Sequence, residues 1–116
     1  MIRDMQSSVL ENKHQSLINI LDDCVEACHS CAAADLREKE LKMMVRCVEL
    51  DIDCAEICNL TSHYLSRNSE FSTAMAKQCA EICDACAEEC EKHPEMPHCV
   101  ECAKVCRKCA QECREL

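Results

Sequence analysis

The sequence predicts an all-α protein, an antiparallel up-down-up-down four-helix bundle with a cysteine-lined core. Three observations carry this. The chain of 116 residues has no glycine, two prolines and, as aromatics, only Tyr64 and Phe71, a composition that helices tolerate and strands with tight turns do not. Its 15 cysteines recur at steps of three and four residues, as in CAEICDACAEEC from Cys79 to Cys90. That is the heptad rhythm that normally places Leu or Ile along a buried seam. Capping and breaking signals then divide the seams into four segments joined by short connections.

The first helix is expected over residues 8–34. Ser8 and Glu11 have the reciprocal S-x-x-E capping spacing, and a 4-3 rhythm runs from Leu10 through His14, Leu17, Leu21, Cys24, Cys28 and Cys31. Asp35 with Glu38 is expected to cap a second helix ending near Ser66, with a seam of Met43 or Met44, Cys47, Leu50 or Asp51, Cys54, Cys58 and Leu65. The polar stretch SRNSE separates it from a third helix carrying Met75, Cys79, Cys83, Cys86 and Cys90. KHPEMPH closes that helix and opens the fourth, where Pro97 suits a first helical position. Cys99, Cys102, Cys106, Cys109 and Cys113 then hold one face. At ~1.5 Å per residue the first two helices are expected to be about 40 Å long and the last two about 30 Å. CAEIC occurs twice, at 54–58 and 79–83, as if a helix pair had been duplicated.

The length fits one domain, residues 1–116. With 22 acidic against 13 basic residues the formal charge is −9, which argues against nucleic acid or an anionic membrane surface as a partner. The opening MIRDMQSSVLENKHQSLINILDD shows no apolar core of a signal peptide, no twin arginine and no small-residue cleavage site, so a cytoplasmic location is expected. A reducing cytosol keeps thiols free, and an odd cysteine count forbids complete intramolecular pairing.

A buried cysteine usually behaves as a small hydrophobe. Fifteen along four seams leave a bundle axis under-filled, and the chain has no Trp and one Phe to plug it. Soft thiolates select Cu(I), Zn(II) or iron–sulfur clusters. Zinc and iron–sulfur sites take distinct sets of four ligands, usually from turns, and neither explains a continuous stripe. Cu(I) accepts two or three sulfurs, and residues at i and i+3 or i+4 have Cβ atoms ~5–6 Å apart, so each step is a potential rung. All of Cys24, Cys28, Cys31, Cys47, Cys54, Cys58, Cys79, Cys83, Cys86, Cys90, Cys99, Cys102, Cys106, Cys109 and Cys113 are therefore candidate ligands for multiple Cu(I) ions. Each bound Cu(I) cancels one thiolate charge and so removes the penalty of burying bare anions.

From about Leu17 to Cys113 the chain resembles the copper storage proteins, cysteine-rich four-helix-bundle copper-binding proteins. The resemblance rests on CxxxCxxC at 24–31, CxxxC at 54–58, CxxxCxxCxxxC at 79–90 and CxxCxxxCxxCxxxC at 99–113. It implies a tubular bundle holding many Cu(I) ions along its interior for storage or detoxification, often as a homotetramer, and here the cytosolic branch. The departures are Leu10, Leu17 and Leu21 at seam positions and the gap near Leu50 and Asp51, levels expected to store less copper.

Four further residues are candidate ligands. His14, counted down an antiparallel bundle, is expected near Cys58, Cys79 and Cys109; satisfied interior packing is its plainer role. Met43, Met44 and His98 fall near one end, where thioether and imidazole would suit capture of Cu(I), although the methionines need no function beyond filling core. His29, His63 and His93 are expected to be solvated, and Met75 to be packing. No enzyme is expected. A thiol–disulfide redox protein would place its C-x-x-C at a helix N-terminus, whereas Cys83/Cys86 and Cys106/Cys109 sit mid-helix. A zinc-binding buffer is the other alternative. The expected partners are copper ions, a copper chaperone as donor, and further copies of the chain.

Overall fold

The computed structural model describes residues 12–116, which form α1 (Gln15–Asp35), α2 (Leu41–Ser66), α3 (Ser72–Cys90) and α4 (Pro97–Arg114), with no strand among the described residues. Each helix packs on its neighbour in sequence and α4 returns against α1, while the backbones of the diagonal pairs stay apart. With connections as short as 36–40, 67–71 and 91–96, this is the expected antiparallel up-down-up-down bundle.

Helix boundaries depart from expectation at two starts. The Ser8–Glu11 cap and Leu10 lie outside the described residues, but Asn12–His14 is a turn, so the first helix is not continuous over 8–34. Asn12 explains this: its Oδ1 accepts the His14 amide at 2.7 Å and its carbonyl accepts the Gln15 amide at 2.9 Å. Such local bonding competes with helix and favours a start immediately afterwards. Consequently α1 has 21 residues, about 31 Å, and only α2, with 26 residues, reaches about 39 Å. The second departure is Asp35. It does not cap α2; it ends α1 with its side chain buried, and Glu40 stands at the N-cap without a side-chain hydrogen bond. The Asp35 carboxylate is occupied inside the bundle by His98 and Cys99, which leaves nothing to offer the amides of 36–40.

The other boundaries follow local chemistry. Pro97 opens α4 after an extended Met96 (φ −105°, ψ 109°), the conformation a residue before proline prefers. At the end of α2, Asn68 adopts φ 53°. Its amide donates to Leu65 O and that of Ser69 to Tyr64 O, both at 3.0 Å, which is the Schellman pairing. In a chain without glycine, asparagine supplies the left-handed residue.

The seams converge as expected, with corrections. Of the paired alternatives on α2, Met44 and Asp51 are buried, Leu50 is half-buried and Met43 is exposed. On α3, Ser72 and Ala76 take the inner positions and Met75 is only half-buried. Thr61 fills the axis between Cys58 and Leu65. Leu17, Leu21, Leu65 and Ala76 form an apolar plug at one end, while Asp35, Met44 and Cys99 stand toward the other. Beside the cysteines, Ala32, Ala55, Ala80, Ala87, Ala103 and Ala110 are each buried one residue after a seam thiol. A step of ~100° puts them on the helix flanks, where a methyl group lets neighbouring backbones approach closely.

The Asn68 geometry gives a direct test of that joint. Asn68→Ala should lower the stability of the reduced, metal-free protein by about 1 kcal/mol, the penalty for a Cβ in the left-handed region, while Asn68→Gly should leave it unchanged or slightly raised. Urea unfolding midpoints of the three proteins would measure it.

Candidate metal centre

All fifteen cysteines are free and buried. Their sulfurs form a network that crosses every helix pair. Cys54 lies 3.5 Å from Cys83 and 3.9 Å from Cys24 and Cys106, Cys58 lies 3.6 Å from Cys83 and 3.7 Å from Cys79, and Cys28 lies 3.7 Å from Cys106. Nearer the Asp35 end, Cys47 is 3.7 Å from Cys90.

These contacts resolve into quartets whose ligand atoms all fall within 4.8 Å of one another. Cys24, Cys58, Cys83 and Cys109 take one thiol from each helix; Cys24, Cys28, Cys54 and Cys106 follow, then Cys28, Cys86, Cys102 and Cys106. Adjacent quartets share members. Separate tetrahedral ions cannot fill them all, whereas bridging thiolates can serve two ions each. The lattice thus favours a soft monovalent ion that accepts two or three sulfurs.

Two carboxylates join the sulfur column, neither of them among the ligands expected from sequence. Asp51 replaces a thiol in the quartet with Cys31, Cys47 and Cys90. Its Oδ1 accepts from Cys86 at 3.1 Å and from Cys102 at 3.5 Å. Burial, with the charges of Cys86 and Cys102 behind it, pushes its carboxyl up to about 11, so the metal-free core holds it as a neutral acid. Asp35 is pushed up to about 6, first by burial and then by its bond with Cys47, against the pull of His98. Burial also raises the Cys99 thiol, with the Asp35 charge adding to it. The available signal was periodicity: each aspartate stands four residues after a seam cysteine, Cys31 and Cys47.

The remaining candidates separate by position. His98 Nε2 sits 2.8 Å from Asp35 Oδ1 and, with Asp35, joins Cys31 and Cys99 in a third kind of quartet at the bundle mouth. Met44 is buried one turn before Cys47. Met43, 61% exposed, does not line the interior: it stands in the first turn of α2 on the flank of the seam that stays open to solvent, while Met44 takes the covered flank. His14 is not level with Cys58, Cys79 and Cys109. It stands at the N-cap position of α1 in a surface cleft with Asn68, Ser72 and Leu116, since the α1 residue level with Cys58 and Cys109 is Cys24, well along the helix. His29 and His63 are exposed, but His93 is buried, with its ring 3.6 Å from Glu89. Glu89 also meets Arg46 and Lys92, so the carboxylate draws the 91–96 connection onto α2.

Comparison with known proteins adds a family. A family model described as copper storage protein matches residues 10–116. The Cu(I)-bound copper storage protein BsCsp3 of Bacillus subtilis superposes with a TM-score of 0.84 at 37% identity, covering 88% of this chain and 95% of that one. A cytosolic copper storage protein from Streptomyces lividans, solved with five coppers, gives 0.82 at 38% identity, covering 85% and 87%. The cysteine-rich protein YhjQ of Bacillus subtilis is 36% identical over 90 residues, 78% of this chain and 82% of its own length. No helix of the described residues is long and apolar enough to cross a membrane.

Asp51 makes the metal-free protein sensitive to alkali. The folded state keeps it protonated while the unfolded chain ionises it above its ordinary 3.8, so stability is complete below that value and declines as pH rises toward about 11. Asp35 adds a similar decline only up to about 6. Above that, Asp51→Asn should flatten a slope of up to about 1.4 kcal/mol per pH unit. Urea unfolding of both proteins, reduced and metal-free, at about pH 6.5 and about pH 8 would show it.

Proposed function

Because this chain belongs to the copper storage protein family, we propose that it binds and stores many Cu(I) ions on the thiolates lining its bundle, for storage or sequestration in the cytoplasm. The observation that carries the reading is the sulfur column, in which all fifteen thiols are buried, successive all-cysteine quartets share ligands, and Asp51 links them to Cys31, Cys47 and Cys90. One Cu(I) per thiolate leaves such a column neutral, which is the condition for charge to be sealed from water. The storage set is the fifteen cysteines, with Met44 and His98 serving the mouth and Met43 on the surface beside it. His14 lies outside this set, behind the leucine plug.

The chain, residues 1–116, acts as one storage unit without catalysis. Copper arrives from a chaperone at the end where Asp35 and His98 interrupt the apolar wall, since the opposite end is closed by Leu17, Leu21 and Leu65. Self-association, as a tetramer of bundles, is supported by the exposed Leu41, Val45 and Ile52, which share one outer stripe of α2.

Capacity is the sharpest test. Anaerobic titration of reduced protein against a competing Cu(I) chelator should saturate near the cysteine count of 15. Saturation at about three ions, the limit for independent four-thiolate sites, would replace storage by discrete centres. Cys83→Ala with Cys86→Ala should remove only a few ions, because rungs on α1, α2 and α4 persist.

The mouth assignment concerns rate. Met43→Leu, Met44→Leu and His98→Ala combined should slow loading from a Cu(I) donor and leave capacity nearly intact. Stopped-flow absorbance of thiolate charge-transfer bands would follow it; an unchanged rate would move the entrance elsewhere.

A further inference from the structure

Monovalent and divalent soft cations make opposite demands on this bundle, and the mouth meets the second. Where α1 ends and α4 begins, Cys31, Asp35, His98 and Cys99 bring their ligand atoms within 4.8 Å of one another. Asp35 is the hub: its Oδ1 is 2.8 Å from His98 Nε2, 3.5 Å from Cys99 Sγ and 3.9 Å from Cys31 Sγ. A carboxylate oxygen adds little for Cu(I), but with two thiolates and an imidazole it completes a tetrahedral set typical of Zn(II).

Charge balance points the same way. A divalent ion in an all-cysteine quartet, such as Cys24, Cys58, Cys83 and Cys109, would carry two net negative charges into a region sealed from water. At the mouth, two thiolates, one carboxylate and a neutral imidazole leave a single net negative charge. Water is also at hand there: the His98 side chain is 23% exposed and, with Cys31, lines a cleft of about 320 Å³ between Glu26 and Glu101. The two thiol protons displaced by the metal can leave through that cleft.

We propose that Cys31, Asp35, His98 and Cys99 form a binding site for one divalent cation of the zinc class, which ties the end of α1 to the start of α4. The site does not depend on what the all-thiol column stores. It does compete with that column for Cys31, which also belongs to the quartet with Cys47, Asp51 and Cys90.

Co(II), a spectroscopic stand-in for Zn(II), tests this on the reduced, metal-free, oxygen-free full chain. The tightest equivalent should show tetrahedral d–d bands with the charge-transfer intensity of two thiolates, and one equivalent of Zn(II) should bleach it. Asp35→Ala with His98→Ala should lose that equivalent, whereas Cys83→Ala with Cys86→Ala should keep it. A first equivalent with four-thiolate intensity, or an unchanged spectrum in the Asp35/His98 variant, would overturn the proposal. X-ray absorption at the zinc edge, on the unmodified chain with one equivalent of Zn(II), needs no variant to fold. A shell of two sulfurs and two lighter atoms is expected, and four sulfurs would overturn it.

Discussion

The reach of a cysteine side chain governs this molecule. One carbon separates sulfur from the backbone, so thiols on four helices meet across an axis only if the helices stand unusually close. The distances of 3.5 to 3.9 Å between sulfurs of different helices show that they do. Close approach in turn demands small residues where helix meets helix, and the buried alanines following Cys31, Cys54, Cys79, Cys86, Cys102 and Cys109 supply them. It also excludes bulk: the two aromatic residues, Tyr64 near the end of α2 and Phe71 in the 67–71 connection, lie beyond the sulfur column. A larger residue at any of these flanks would separate thiols that must share an ion.

A column of thiols is tolerable as core only in one of two charge states. Protonated, cysteine packs as a small apolar group and the bundle is an ordinary if narrow one. Ionised, it requires one positive charge per thiolate inside the protein. Family membership and the shared quartets both fit a monovalent ion as that counter-charge. Asp51 obeys the same rule, held as a neutral acid by burial among Cys86 and Cys102.

The bundle also has direction. Leucines close one end, and Asn12 donates to the Leu65 carbonyl at 3.0 Å to fasten it. Asp35 and His98 make the other end polar, and the Glu89 cluster with Arg46, Lys92 and His93 binds the neighbouring connection to α2. Outside the axis, Arg107 bridges Asp84 and Glu91 and so clamps α4 to α3 without entering the sulfur column. Rigid walls with one polar opening suit a container.

The sequence by itself determined the helices, their number and the faces that turn inward, because a 4-3 step of cysteines can be satisfied by no other regular structure in a chain without glycine. The fifteen candidate thiols were legible for the same reason: seam phase follows from spacing alone. Tertiary structure decided what spacing cannot encode. Asp35 reads locally as a cap for α2, yet a partner 63 residues away, His98, turns it inward. Met43 and Met44 are equivalent in a periodic reading, and only the packing of α2 against its neighbours buries one and exposes the other. His93 looks like a loop residue until Glu89 is brought beneath it. The level of His14 depended on which α1 residue meets Cys58 across the axis, and that residue is Cys24. Except for His93, four residues from Glu89, the deciding contacts join residues distant in sequence, and periodicity is blind to them.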